Sequence, residues 1–169
     1  MQPITIITAF YDIGRSDWSS KYHRKTTYYF ECFKRLCQLK NKIIVFSEEK
    51  FKPLFDEIIS NQKSDLIVIY KEIFNENKGL LQKIKNAQKN LNKIGGLHDS
   101  GNPPEYWNPD YVLINFLKSE FCVSAINDVK NIGDIISWID FGYLKKNEQL
   151  PKSRIWKYDF PDKINLWSI

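Results

Sequence analysis

The sequence predicts an α/β protein whose mostly parallel sheet is covered by helices on both faces. Four short apolar runs, rich in β-branched residues, are separated by longer stretches with helical spacing of apolar positions. The order is β-α-β-α-β-α-loop-α-β, and parallel neighbours require such crossover connections. A chain of 169 residues suits one domain, so we expect a single domain over residues 1–169.

The first predicted strand covers residues 4–10, a mostly apolar run that is rich in β-branched residues. A turn-like loop follows at residues 11–15. Residues 22–40 then carry aromatic and aliphatic side chains at helical spacing, which predicts a helix that ends at Asn41.

The second predicted strand covers residues 42–46. Ser47 follows it, with Glu48 and Glu49 directly behind. A serine that caps the N-terminus and two acids in the first turn are typical of a helix start. We therefore expect a helix capped by Ser47 that extends to about residue 60.

The third predicted strand covers residues 65–70. Residues 72–93 are rich in lysine and asparagine and keep a few apolar positions at helical spacing, which predicts an exposed helix. A long loop with several prolines then covers residues 95–109. Loops of this length are usually functional or disordered, and the neighbouring Tyr106 and Trp107 favour a functional loop.

The last predicted helix begins at Pro109 with Asn108 as its cap, and covers residues 110–130. Residues 134–139 form the fourth predicted strand. The tail holds two short candidate elements, at residues 154–158 and 163–167.

Composition excludes several classes of protein. The formal net charge is +5, but the lysines are spread along the chain, which favours a solvated surface and gives no nucleic-acid-binding motif. Three cysteines without a CxxC pair argue against a disulfide scaffold or a zinc cluster. No signal peptide precedes the first strand, so we expect a cytoplasmic protein, with peripheral contact to the anionic inner membrane face as an alternative.

Ligands of open parallel sheets bind outside the carboxyl ends of the strands. Asp140 directly follows the fourth strand, and Gly142 allows a sharp turn and the close approach of a ligand. A carboxylate at this edge can hold a divalent cation that bridges a diphosphate. An aspartate that merely caps a turn has the same pattern. The edge segments are residues 11–15, 47–49, 71–72 and 140–143.

The loop after the first strand offers three candidate ligand-binding residues. Tyr11 could stack on a nucleobase, Asp12 could bind a base or ribose, and Arg15 could pair with phosphate. Gly14 is a lone glycine, so neither a dinucleotide-binding fingerprint nor a P-loop is present. An ordinary loop with a local salt bridge is the alternative.

Asn115 and Lys118 share one helical stripe within an otherwise apolar run. They either face solvent or point at a phosphate or sugar hydroxyl. His98 and Asp99 are a weak metal candidate, and no motif indicates a catalytic nucleophile.

Three segments, at residues 7–18, 104–121 and 137–143, together resemble the bacterial HtrL/YibB-like proteins, which include the WlaTC-type glycosyltransferases of surface-polysaccharide loci. The resemblance implies a GT-A-like, Rossmann-like domain that binds a nucleotide-diphospho-sugar. It also implies longer family members, so this chain is a short member, a truncated one that lacks a C-terminal acceptor region, or one that needs a partner.

GT-A enzymes end their fourth strand in a DxD motif that binds manganese or magnesium. The matching place here carries Asp140, Phe141 and Gly142, without the second aspartate. The resemblance thus implies Asp140 as the ligand of Mn²⁺ or Mg²⁺. By topology, Lys118 matches a lysine that contacts the donor sugar in glycogenin-like enzymes.

The function hypothesis is a glycosyltransferase that moves a sugar from a nucleotide-diphosphate donor to a glycan or lipid-linked acceptor in surface-polysaccharide synthesis. The alternative is an inactive module that binds a nucleotide sugar or glycan. Inversion and retention are both open. The expected donor-binding residues are Tyr11, Asp12, Arg15, Tyr106, Trp107, Asn115 and Lys118.

Overall fold

A computed structural model describes residues 2–18, 21–61, 65–95 and 102–158 of the chain. The strands in these ranges are β1 (Gln2–Pro3), β2 (Thr5–Phe10), β3 (Ile43–Ser47), β4 (Leu66–Tyr70), β5 (Ile136–Trp138) and β6 (Lys157–Tyr158). The α-helices are α1 (Thr26–Leu36), α2 (Lys52–Asn61), α3 (Ile73–Glu76), α4 (Lys78–Gly95), α5 (Pro109–Phe116) and α6 (Lys118–Asp128). Short 3-10 turns lie at Arg15–Asp17, Glu49–Phe51, Pro104–Tyr106 and Asn147–Gln149.

Four strands form one all-parallel sheet in the order β4-β3-β2-β5. This confirms the predicted α/β class and each of the four predicted strands. Because β3 and β4 lie on one side of β2 and β5 lies on the other, the winding of the chain reverses between β2 and β5. Such a switch point opens a crevice at the carboxyl ends of its two strands. The short pair of β1 and β6 is antiparallel and was not predicted.

Helices cover both faces of the sheet, as predicted. Side chains alternate along β2, and both of its faces carry apolar residues that need a packing partner. Ile6 and Phe10 face a cluster that α1 and α2 complete, whereas Ile7 and Ala9 face a cluster completed by the helices after β4. Among the helical residues of the first cluster are Phe30, Phe33, Leu36, Phe55 and Ile58. Among those of the second are Ile73, Ile84, Leu113, Phe121 and Ala125.

Three predicted helices differ from the observed ones. The first begins at Thr26 and ends at Leu36, so it is shorter at both ends than residues 22–40. The helix expected over residues 72–93 is divided at Asn77, and its second part buries Ile84 against the sheet, so it is not exposed on every side. The helix after Pro109 is interrupted at Leu117.

One predicted cap is confirmed and one is wrong. The Asn108 side chain accepts a hydrogen bond of 2.7 Å from the backbone N–H of Tyr111, with Pro109 as the first helical residue. Ser47 caps no helix, because β3 extends one residue further than predicted and buries it. Its hydroxyl donates instead to the carbonyl of Phe10 over 2.8 Å and joins the carboxyl ends of β2 and β3.

Asn41 is a buried bridge rather than a helix end. Its amide donates to the carbonyls of Ile4 and Trp156 over 2.7 and 2.9 Å, and its oxygen accepts from the Trp156 N–H over 2.8 Å. These bonds attach the tail to the start of β2. Of the two predicted tail elements, residues 154–158 contain β6 and residues 163–167 lie outside the described residues, as do His98 and Asp99.

No α-helix in the described ranges combines the length and the apolar character needed to cross a bilayer.

Candidate functional site

A cleft of about 490 Å³ lies at the carboxyl ends of β2 and β5. Its walls come from the loop after β2, the start of α1, the junction of α5 and α6, and the loop after β5. This is the crevice that the switch point between β2 and β5 predicts. Small-molecule sites commonly have volumes of roughly 300–1,000 Å³, so the cleft has the size of a ligand site.

Six of the eight residues proposed from the sequence line this cleft: Tyr11, Asp12, Arg15, Asn115, Lys118 and Asp140. Tyr106 and Trp107 do not line it. Trp107 packs edge-to-face on Trp18, with ring centroids 4.7 Å apart, and donates its indole N–H to the Asn102 carbonyl. Tyr106 is 38% exposed.

Lys118 and Asp140 form an ion pair across the cleft. The Lys118 Nζ lies 2.9 Å from Asp140 Oδ1, and the Trp138 indole N–H donates to the same oxygen over 2.9 Å. The ammonium also lies 5.6 Å from the centre of the Trp138 ring, at cation–π distance. Since the Asp140 side chain bonds these two groups, the alternative of a simple turn cap does not describe it.

The pKa of Asp140 reflects these contacts. Partial burial by the cleft walls raises the pKa of its carboxyl, but the hydrogen bonds from Trp138 and Lys118 and the charge of Lys118 outweigh this effect. The net pKa therefore lies below the usual aspartate value. Asp140 is ionised at neutral pH and remains the partner of the ammonium.

Phe141 and Gly142 explain why the loop after β5 presents Asp140 to the cleft. Phe141 is 4% exposed and stacks on Phe33, with ring centroids 4.3 Å apart and planes at 10°, so it anchors the loop in the core. The Tyr143 N–H donates to the Asp140 carbonyl over 2.8 Å and closes the turn. The space beside Gly142, expected to admit a ligand, holds the ring of Tyr29.

Tyr11 contributes to the cleft wall but is only 5% exposed. Its ring stacks on Phe121 at 5.9 Å and meets Phe74 edge-on at 6.0 Å, so its faces are used by the core and a nucleobase cannot stack on them. Within the described part of the chain, its buried hydroxyl has no hydrogen-bond partner. Burial, with Glu48 next in effect, raises the pKa of this hydroxyl above its usual value.

Asp12 and Arg15 are oriented by main-chain groups. The Asp12 carboxylate accepts from the Gly14 N–H over 3.0 Å, and Gly14 adopts φ +71°, a left-handed conformation that favours glycine. The Arg15 guanidinium donates to the Tyr22 carbonyl and lies over the Trp18 ring, 5.0 Å from its centre. The local salt bridge considered for this loop is not formed by the described residues.

Asn115 is partly used within its own helix, since its amide donates to the Tyr111 carbonyl over 2.9 Å. Sequence reasoning missed Arg24 and Lys145, which also line the cleft. Arg24 fell inside a helix predicted to begin too early, and Lys145 lies in a segment without a predicted element. Neither residue carries a local pattern that marks it, because only the fold brings them to the cleft.

The charge of the cleft is positive. Four cationic side chains and two acidic ones line it: Arg15, Arg24, Lys118 and Lys145 against Asp12 and Asp140. Of the four cations, only Lys118 forms an ion pair with any described carboxylate. A cleft with excess positive charge attracts an anionic ligand.

The residues present do not fit the divalent metal that the family resemblance implies. Each carboxylate oxygen has about two acceptor positions, and Lys118 and Trp138 take both of those on Asp140 Oδ1. Across the described ranges, no group of three or more His, Cys, Asp or Glu side chains could hold a metal ion. The ammonium beside Asp140 also repels a second cation at this carboxylate.

Comparison with known proteins identifies relatives of the whole described region. Residues 2–169 match the family model described as "Bacterial protein of unknown function (HtrL_YibB)". Protein HtrL of Escherichia coli strain K12 is 35% identical over 173 residues, which cover 98% of this chain and 60% of that protein. The chain thus spans about three fifths of the length of this curated relative.

Among solved structures, the apo form of mouse xyloside xylosyltransferase 1 aligns with 82% of this chain and 43% of its own, at 14% identity and a TM-score of 0.35. A TM-score this low does not establish a common fold. The family expected from the three sequence segments is confirmed by the family model and by protein HtrL. The chain belongs to the HtrL/YibB family of bacterial proteins.

Proposed function

We propose that the cleft binds a nucleotide-diphospho-sugar and that the chain is a glycosyltransferase of GT-A-like type. One observation carries this proposal: Arg15, Arg24 and Lys145 line a cleft at the switch point between β2 and β5. None of the three forms an ion pair with a carboxylate of the described residues. Arginine and lysine in this arrangement suit the charged oxygens of a diphosphate.

The aromatic wall of the cleft supports a sugar or a nucleobase as the second part of the ligand. Tyr28 lines the cleft and is 36% exposed, so its ring is more accessible than that of Tyr11. Tyr29 and Trp138 line the cleft as well. Exposed aromatic rings offer flat apolar faces to such groups.

The proposed reaction transfers the sugar to an acceptor hydroxyl. The hydroxyl oxygen forms a bond to the anomeric carbon, while the bond from this carbon to the terminal phosphate oxygen breaks. The nucleoside diphosphate leaves with the electron pair of that bond, and the hydroxyl proton passes to water. The cations of the cleft would offset the negative charge that develops on the leaving diphosphate.

A second candidate is a module that binds the nucleotide sugar without turnover. The two carboxylates of the cleft favour it, because both are already engaged. Asp140 accepts from Lys118 and Trp138, and Asp12 accepts from the Gly14 N–H. Neither is therefore an evident base for the acceptor hydroxyl.

Calorimetry with uridine, guanosine and cytidine diphosphates tests both candidates. We expect one of them to bind, and Arg24→Ala combined with Lys145→Ala to weaken its binding tenfold or more. Lys52→Ala is the matched control, because Lys52 pairs with Asp56 on α2, outside the cleft. No binding of any nucleotide rejects both candidates.

Incubation of the corresponding nucleotide sugars with glycan and lipid-linked acceptors separates the two candidates. Release of free nucleoside diphosphate supports the enzyme, and binding without release supports the module. A surface-polysaccharide acceptor, a cytoplasmic location and peripheral contact with an anionic membrane are parts of the same proposal.

A further inference from the structure

We propose that the Lys118 ammonium, positioned by Asp140, binds the diphosphate in place of a divalent metal ion. This inference rests on the proposed function, since it concerns how the same cleft holds its ligand. It departs from the metal-bound site that the family resemblance implies.

The first argument is the occupation of Asp140. Its Oδ1 accepts from Lys118 Nζ and from Trp138 Nε1, each over 2.9 Å. Only Oδ2 remains for a further partner. Magnesium and manganese sites in proteins usually combine a carboxylate with other oxygen ligands. Among the described residues, Asp140 belongs to no group of three or more His, Cys, Asp or Glu side chains that could hold a metal ion.

The second argument is the position of Lys118. The interruption at Leu117 makes Lys118 the first residue of α6, where its side chain reaches the end of β5. The ammonium lies over the Trp138 ring, 5.6 Å from its centre, and Phe121 stacks on this indole with the ring centroids 5.9 Å apart. The charge is therefore placed before any ligand arrives, as electrostatic stabilisation of an anion requires.

The third argument is the total charge. Arg15, Arg24 and Lys145 line the same cleft as Lys118. Together these side chains can neutralise a diphosphate without a metal ion. Asp140 is then a positioning residue, which holds the ammonium in the cleft and contacts no phosphate itself.

Calorimetry tests this inference with two probes: inorganic pyrophosphate and whichever of uridine, guanosine and cytidine diphosphate binds most tightly. Each is titrated into the protein in excess EDTA and again in excess Mn²⁺. We expect the affinities to agree within about twofold. Lys118→Met should weaken binding at least tenfold in EDTA, whereas Lys118→Arg should keep most of it. Lys52→Met is the control and should change neither titration.

Asp140→Asn distinguishes positioning from metal binding. The amide oxygen can still accept from Lys118, so we expect a loss of only a few-fold, equal in EDTA and in Mn²⁺. A metal ligand would instead lose the Mn²⁺-dependent part of the affinity.

Binding that requires Mn²⁺, or an affinity that Lys118→Met leaves unchanged, overturns this inference while the proposed function stands. Absence of binding of uridine, guanosine and cytidine diphosphates alike, in EDTA and in Mn²⁺, overturns the proposed function and this inference with it. Circular dichroism of each variant verifies that it is folded.

Discussion

A Cβ atom added to Gly142 would stand 3.0 Å from two ring carbons of Tyr29. The absence of a side chain at residue 142 therefore lets the Tyr29 ring pack against the loop after β5. The same ring lies 5.7 Å from the Arg15 guanidinium. Through the Tyr29 ring, Gly142 thus links the loop that carries Asp140 to the Arg15 guanidinium.

Gly142→Ala should destabilise the protein. The added methyl group forces the Tyr29 ring to move, and overpacking of this kind costs about 1–3 kcal/mol. Gly79→Ala is the matched control, because nothing lies within 4 Å of its added Cβ and alanine favours the helix. Urea unfolding should give a lower free energy for the first variant and an equal or higher one for the second. Equal stability of Gly142→Ala and the wild type would contradict the packing argument.

Phe141→Ala should strongly destabilise the protein. The ring is buried and stacks on Phe33, and removal of a buried phenylalanine typically costs about 3–5 kcal/mol. Phe116→Ala provides the comparison, since Phe116 is 63% exposed and should change the free energy of unfolding little. Similar losses in the two variants would show that Phe141 is not the anchor.

Lys118→Met should raise the pKa of Asp140. In the wild type this pKa lies below the ordinary aspartate value, in part because the ammonium donates a hydrogen bond to the carboxylate and attracts it. A carboxyl with a lowered pKa stabilises the fold at pH values above its ordinary pKa, and this contribution disappears as the pH falls through the lowered value. The pairing of Lys118 with Asp140 is therefore present at neutral pH and lost in acid.

Carbon-detected NMR titration of the Asp140 carboxyl measures this shift. The titration midpoint of Asp140 should move to higher pH in Lys118→Met. It should not change in Lys52→Met, because Lys52 pairs with Asp56 and not with Asp140. An unchanged midpoint in Lys118→Met would mean that the ion pair does not persist in solution.

Asn41→Ala should lower the free energy of unfolding by about 2–4 kcal/mol. It leaves the carbonyls of Ile4 and Trp156 and the Trp156 N–H without their partner, and each buried group left unsatisfied costs about 1–3 kcal/mol. Asn86→Ala, on the exposed side of α4, is the control and should be close to neutral. If the two variants unfold at the same urea concentration, the bridge contributes nothing measurable.

The structure confirms mainly the predictions that rest on patterns within a few neighbouring residues. Strands of a parallel sheet covered on both faces have nearly continuous apolar runs, so β2, β3, β4 and β5 could be predicted directly. The cap at Asn108 was equally visible, because its partner Tyr111 is three residues away. The carboxyl edge of the sheet as the place of a cleft follows from the same alternation of strands and helices.

Interactions between distant residues could not be read in this way. Ser47 resembles a helix cap, yet its partner is Phe10 on the neighbouring strand. Asn41 resembles a helix end, yet it bonds Trp156, 115 residues away. In both cases burial next to a distant carbonyl outweighs the local preference of the residue.

By itself, the sequence determined the class of fold, its four sheet strands and six residues that line one cleft. Only the tertiary structure placed β5 beside β2, and with it Asp140 within 2.9 Å of Lys118. It also brought Arg24 and Lys145 to the lining of that cleft, which Tyr106 and Trp107 do not join. The physical reason is the distance along the chain over which each feature is determined. Helical and strand periodicities are visible within a few consecutive residues, whereas the pairing of charges in a site depends on which strands become neighbours in the sheet.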